Sequence, residues 1–173
     1  MINIKLILKI NGGLKDLIKF NFKELKELDL NYNNISDINV LEKVKFEALE
    51  ILNLSFNNIS DINILEKVTF KELKELYLNS NNISDIKTLE KVKFEKIEKL
   101  DLGNNKISNI NMLENVNFKE LKELDLYANN ISDIKVLEKV KFEKLEKLNL
   151  GKNKIDKKNF SPIINSLKYK ITF

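Results

Sequence analysis

A chain of 173 residues, 43% hydrophobic and 32% charged, has the size and polarity of one soluble domain, and no stretch is apolar for long enough to span a membrane. Its 30 lysines oppose 26 acids for a net charge of +4, evenly mixed along the chain, and arginine is absent, so neither a basic footprint nor a bidentate base reader is available for nucleic acid. Cysteine, histidine and tryptophan are absent as well, which excludes disulfides and the usual nucleophile-and-base or metal-ligand sets, and gives no sign of an oxidising compartment.

Residues 1–10 alternate Ile2, Ile4, Leu6, Leu8 and Ile10 against Asn3, Lys5, Ile7 and Lys9, which predicts a strand. Lys5 and Lys9 interrupt any apolar run of signal-peptide length. Gly12-Gly13 predicts a turn. Leu14, Leu17, Phe20 and Phe22 then fall one period before Ile38, Leu41, Val44 and Phe46. Residues 1–21 therefore read as a degenerate opening repeat that caps the first end.

From Phe22 one sentence recurs six times over residues 22–158. Leu28, Leu52, Leu76, Leu100, Leu124 and Leu148 mark the same place at a step of 24 residues. Each copy carries the frame L-x-x-L-x-L-x-x-N-x-I, as in Leu73, Leu76, Leu78, Asn81 and Ile83, with Ile97 in place of the first leucine in the fourth. Leu76 and Leu78 lie two apart, so in an extended strand they share a side while Glu75, Tyr77 and Asn79 take the other. An asparagine then stands at each turn (Asn33, Asn57, Asn81, Asn105, Asn129, Asn153), and its amide has the donors and acceptor to satisfy backbone groups removed from sheet and water.

Ile83, Ile86, Leu89, Val92 and Phe94 follow at steps of three or two, the spacing of a narrow, tightly wound return path, with Ser84 and Asp85 positioned to cap its free amides. Phe22, Phe46, Phe70, Phe94, Phe118 and Phe142 predict a stacked spine at the back of the coil. Copies alternate between F-K-E-L-K-E-L and F-E-x-[LI]-E-x-L, so Lys26, Glu50, Lys74, Glu98, Lys122 and Glu146 form a row of alternating sign that sets stacking register. The sixth copy decays after Asn153. Ser161-Pro162 reads as a helix start before Ile163, Ile164 and Leu167, and residues 169–173 read as a closing strand, so that residues 159–173 make a helix-strand cap.

The repeated frame resembles the leucine-rich-repeat family, and the I-S-D-I turns at residues 35–38, 59–62, 83–86 and 131–134 are similar to internalins and to the phosphatase-regulator type. The E-K-V-K-F stretch makes this unit about two residues longer than the usual internalin-type repeat. The resemblance implies a single α/β solenoid over residues 1–173: an arc with a parallel β-sheet on its concave face and short 3-10 or helical segments on its convex face. It also implies a concave face that binds other proteins.

Copies one to five run without insertion, leaving no long loop to house a catalytic constellation. Asp101 and Asp125, one period apart and so about 5 Å from each other across adjacent strands, are the one pair that could perturb a pKa or hold a hard cation. The expectation is no enzyme, no metal and no cofactor. Binding is indicated where the copies differ: Asp29, Asn53, Tyr77, Asp101, Asp125 and Asn149 in mid-strand; Asn31, Ser55, Asn79, Gly103, Tyr127 and Gly151 two residues on; Tyr32, Phe56, Ser80, Asn104, Ala128 and Lys152 at the strand end. Aromatics there suit interface anchors.

Six lysines (26, 74, 99, 122, 147, 152) face nine carboxylates (Glu27, Glu50, Glu75, Glu98, Glu123, Glu146, Asp29, Asp101, Asp125) on the concave side, which suits a partner with a basic and apolar surface. The sequence thus predicts a monomeric, cytoplasmic scaffold or adaptor that binds a partner protein through Tyr32, Phe56, Tyr77, Asp101, Asp125 and Tyr127, with neither nucleic acid nor membrane as partner. The alternative is a structural or self-associating repeat module without enzymatic activity.

Overall fold

A computed structural model describes residues 14–156 and 170–173 in full and residues 5–7 by their backbone. Eight strands form one parallel sheet in chain order: β1 (Lys5–Ile7), β2 (Glu27–Asp29), β3 (Ile51–Asn53), β4 (Glu75–Tyr77), β5 (Lys99–Asp101), β6 (Glu123–Asp125), β7 (Lys147–Asn149) and β8 (Lys170–Thr172). The register follows the repeat, with Leu28, Leu52, Leu76, Leu100, Leu124 and Leu148 opposite one another down the stack and Ile171 closing the row. The chain is an α/β solenoid arc, sheet on the inside.

Strands β2 to β6 each show a half-buried, buried, half-buried pattern, because the central leucine points into the coil and its neighbours point out. Among the described residues every helical turn of the return path is 3-10: Leu14–Lys19, Asn39–Lys43, Asn63–Glu66, Lys87–Glu90, Asn111–Glu114 and Lys135–Glu138. At the entry to these turns Asp37, Asp61, Asp85 and Asp133 each accept, through Oδ1, the N–H two residues on at 2.8–2.9 Å, and Asn109 does the same in the fourth copy. The capping role expected of the Ser-Asp pair belongs to the aspartate. The serine beside it is exposed.

Phe22, Phe46, Phe70, Phe94 and Phe118 stack at centroid spacings of 5.7–6.4 Å, and Phe142 is buried in line with them. The asparagine row works across coils. Asn81 Nδ2 donates to Leu54 O of the coil before (3.0 Å) and to Leu78 O and Asn79 O of its own (3.0 and 3.3 Å), while its Oδ1 accepts from Ile59 N–H (2.9 Å). Asn57, Asn105 and Asn129 repeat the arrangement, so each amide ties two neighbouring turns together.

One inward position breaks the apolar pattern. Where other copies place Val40, Ile64, Met112 and Val136, Thr88 is buried, and its hydroxyl has no hydrogen-bond partner. At the ends, β1 and β8 lie within the segments expected to be strands, whereas the Gly12-Gly13 turn and the helix after Ser161-Pro162 lie outside the described residues. Ile171 packs against the core, while Phe173, beyond the strand, is 45% exposed.

Candidate protein interface on the concave face

Three outward rows run down the sheet, and the backbone treats each differently. In the mid-strand row, Asp29, Asn53, Asp101, Asp125 and Asn149 all accept through Oδ1 the N–H two residues on, at 2.8–3.1 Å. Tyr77 alone replaces this side chain-to-backbone bond with a ring. Its hydroxyl donates to the Glu75 carboxylate and Lys99 Nζ lies 5.2 Å from its ring centroid, so the side chain is half-buried by its own neighbours. Burial first, and then the Glu75 bond, hold the Tyr77 hydroxyl well above its ordinary pKa.

At the strand end the chain enters the turn through left-handed backbone. Tyr32, Phe56, Ser80, Asn104, Ala128 and Lys152 all have φ between 51° and 57°. This region is costly for a bulky side chain and mild for asparagine. Tyr32 and Phe56 nevertheless occupy it with exposures of 59% and 43%, their rings stacked at 4.3 Å with an interplanar angle of 8°. Two aromatics held in strained backbone and facing water were not foreseen as strained from the sequence. The available signal was Asn104 at the equivalent position, a residue type enriched where φ is positive.

Asp101 and Asp125 are in register on β5 and β6, as the period required. Both are already committed to backbone, and Asp125 Oδ2 also accepts from Asn149 Nδ2 at 2.9 Å. Burial, with the Asp125 charge alongside, raises the Asp101 carboxyl above the ordinary aspartate range in spite of the Gly103 N–H bond. They border a shallow hollow of about 250 Å³ shared with Lys99, Glu123, Lys147 and Lys170. Among the described residues no group of three or more acidic, histidine or cysteine side chains could hold a metal ion. Gly103 leaves little room here: a Cβ would meet the two aspartate Oδ1 atoms at 3.2 and 3.3 Å, so the carboxylates would have to shift by a few tenths of an ångström.

Ion pairs divide the face into two halves. Around β2–β4, Glu50 draws in both Lys26 and Lys74 at 2.6 Å, and Glu27, Asp29 and Glu75 add further negative charge. Around β5–β8, Lys122 pairs with Glu98 at 2.6 Å, and Glu123 takes Lys147 and Lys99 at 2.5 and 3.5 Å. There five carboxylates (98, 101, 123, 125, 146) are balanced by five lysines (99, 122, 147, 152, 170). Among the side chains described, the acidic excess expected of the whole face therefore lies in its first half. Tyr127, on the neutral half, is half-buried, with Lys152 Nζ 5.1 Å from its ring centroid.

The structure thus brings Tyr32 together with Phe56 and Asp101 together with Asp125, while Tyr77 and Tyr127 each meet a lysine instead. Elsewhere on the molecule, among the described residues, no helix is long and apolar enough to cross a membrane.

A family profile described as leucine-rich repeats, two copies, matches residues 23–67, 71–115 and 119–165. Comparison with curated proteins gives no match. Among solved structures the chain is similar to an internalin (inlF) from Listeria monocytogenes, with 28% identity and a TM-score of 0.68 over 87% of this chain and 44% of that one. It is also similar to the ectodomain of the plant membrane receptor kinase GASSHO1/SCHENGEN3 from Arabidopsis thaliana, solved in complex with CASPARIAN STRIP INTEGRITY FACTOR 2, with 26% identity and a TM-score of 0.61 over 87% and 18%. A leucine-rich-repeat protein of Leptospira interrogans shares the fold at 24% identity, with a TM-score of 0.70 over 98% and 48%. The chain spans less than half the length of each of these three structures.

Proposed function

The chain belongs to the leucine-rich-repeat family, and from that premise we propose that it is a non-enzymatic scaffold or adaptor that docks a partner protein on its concave face. The observation that carries the reading is the Tyr32–Phe56 stack: two rings exposed to water in backbone that costs free energy to hold. A fold that needed only to stack its coils would be served by asparagine or glycine there. Phe56 and Tyr77 are the proposed anchors, flanked by Tyr32 and Tyr127, and Asp101 and Asp125 contribute polar contacts at the far edge. The acidic first half suits a partner with basic side chains among apolar ones.

The complex of the receptor ectodomain supports the protein-binding reading by analogy, at 26% identity. We propose the cytoplasm as compartment and the monomer as working state, on the absence of cysteine and on a concave face that one partner can occupy.

The test contrasts stability with binding. Phe56→Ala combined with Tyr77→Ala should leave the thermal midpoint within a few degrees of wild type and remove about 2 kcal/mol or more of partner affinity. Lys87→Glu, on an exposed residue of the convex side, serves as control. Partners retained by the concave variant and lost by the control would mean that the other face binds. Light scattering that showed a stable dimer would favour the self-associating alternative.

A further inference from the structure

The strand-end row is regular enough to show where it has been interrupted. Tyr32 N–H donates to Ser55 O, Phe56 N–H to Asn79 O, Ser80 N–H to Gly103 O and Asn104 N–H to Tyr127 O, at 2.7–3.2 Å, so successive members sit on adjacent coils in the same left-handed backbone. Their side chains leave the backbone in parallel, one coil apart, at a pitch of about 4.8 Å that suits flat rings. Tyr32 and Phe56 use it and stack at 4.3 Å. The third member is Ser80, half-buried, and the fourth is Asn104, exposed. From Phe56 to Asn104 is two pitches, about 10 Å, which leaves room over the small serine for one flat ring at contact distance from each wall. Among the described residues no ring of this chain lies against Phe56 besides Tyr32.

The surroundings of this gap carry no charge. Residues 30–36, 54–60 and 78–84, on three adjacent turns, include neither a lysine nor a carboxylate, in a chain that is 32% charged. The acids that follow them, Asp37, Asp61 and Asp85, lie past the turn and each accept the N–H two residues on. On the two coils that hold Phe56 and Ser80 the mid-strand residues are Asn53 and Tyr77, so no aspartate stands there either. The first charge further along the stack is Lys106, two residues past Asn104 on the coil of the far wall.

Resting on the concave-docking reading above, we propose that the gap is a slot for an aromatic side chain of the partner protein, which enters over Ser80 and stacks on Phe56 as the third layer after Tyr32. Shape selects a ring. A pitch of about 4.8 Å admits a planar group, and aromatic pairs gain from offset stacking beyond the area they bury, which an aliphatic side chain of equal volume does not. Charge selects a neutral one. A guanidinium or a carboxylate in the slot would lose water and meet no opposite charge on the three turns, and Lys106 would stand against a cation.

The probe is a set of peptides selected on the wild-type protein from a phage-displayed library of short random sequences. Selected peptides should carry an aromatic residue at a fixed position, and replacing it with leucine or with arginine should weaken binding about fivefold or more. The chain has no tryptophan, so a peptide with Trp at that position reports on its own surroundings, and its emission should shift to the blue on binding wild type. Ser80→Phe fills the slot from within, in a backbone conformation (φ 57°) that Phe56 already tolerates at 54°, and should weaken the same peptides by a similar factor. Ser80→Ala should leave them unchanged.

Phe56→Leu provides a second route if Ser80→Phe does not fold. It keeps apolar bulk but removes the ring face, so it should erase the preference for an aromatic residue over leucine. Peptides that depend on Tyr77 but hold a fixed arginine or no fixed aromatic, or that bind Ser80→Phe as they bind wild type, would overturn the slot and leave concave docking intact. So would an aromatic preference that survives Phe56→Leu. A library that yields no peptide sensitive to Phe56→Ala with Tyr77→Ala would overturn the docking reading, and the slot with it.

Discussion

One residue separates the row Tyr32, Phe56, Ser80, Asn104, Ala128, Lys152 from the row Asn33, Asn57, Asn81, Asn105, Asn129, Asn153, and the two follow opposite rules. The second row faces inward, where every carbonyl freed by the turn needs a donor, and the amide that meets this need in one coil is the only side chain that meets it in the next. The first row has an equally uniform backbone, with φ confined to 51–57°, yet six side chains drawn from six residue types. Uniform geometry therefore does not impose a uniform residue. What imposes it is an unsatisfied polar group or a filled volume on the other side of the bond.

The largest test of this contrast is Asn81→Leu. It removes the donor to three carbonyls and the acceptor of Ile59 N–H in a buried turn, and should cost about 3 kcal/mol or more in urea denaturation. A midpoint equal to wild type would mean that the turn is satisfied otherwise and that the row carries no such duty. Thr88→Val probes the inward exception and should stabilise the protein by about 1 kcal/mol, because a buried hydroxyl without a partner is replaced by a methyl of similar volume. Loss of stability there would indicate that the hydroxyl is satisfied in solution.

The outward side predicts smaller effects. Hydrogen bonds from Lys26 and Lys74 hold the Glu50 carboxyl at about 2 against an ordinary 4.5. A depressed folded pKa contributes stability that is present above the ordinary value and is lost as pH falls through the folded one. Glu50→Gln should accordingly flatten the acid limb of a stability profile between about pH 4.5 and 2, by less than about 1 kcal/mol because water reaches and screens the pair. An unaltered limb would assign acid sensitivity to other carboxylates.

The smallest expected change follows from the largest truncation. Phe56→Gly relieves left-handed strain as it forfeits one ring stack, and the two terms, each about 1 kcal/mol, should nearly cancel. A loss above about 2 kcal/mol would move Phe56 from the binding rows to the structural ones.

The concave face itself was legible only in outline. The rows that vary between copies could be read from the text, as could the pairing of Asp101 with Asp125 and of Tyr32 with Phe56, because a fixed period converts a distance in sequence into adjacency in space. What each side chain does there could not. Tyr127 and Tyr77 both look like exposed anchors on paper, yet lysines from the next coil lie against them, and the two aspartates are bonded to turn amides before any partner arrives.

The sequence by itself determined the solenoid, its parallel register, the asparagine row and the phenylalanine spine, since each rests on one local pattern repeated and stacking only multiplies it. Tertiary structure alone decided the left-handed backbone under Tyr32 and Phe56 and the gathering of two lysines onto Glu50 and two onto Glu123. The physical reason is that charge pairing and ring stacking depend on rotamers and on distances of a few ångströms between coils. A period of 24 residues fixes which residues are neighbours but not which of two equidistant neighbours a flexible side chain will choose.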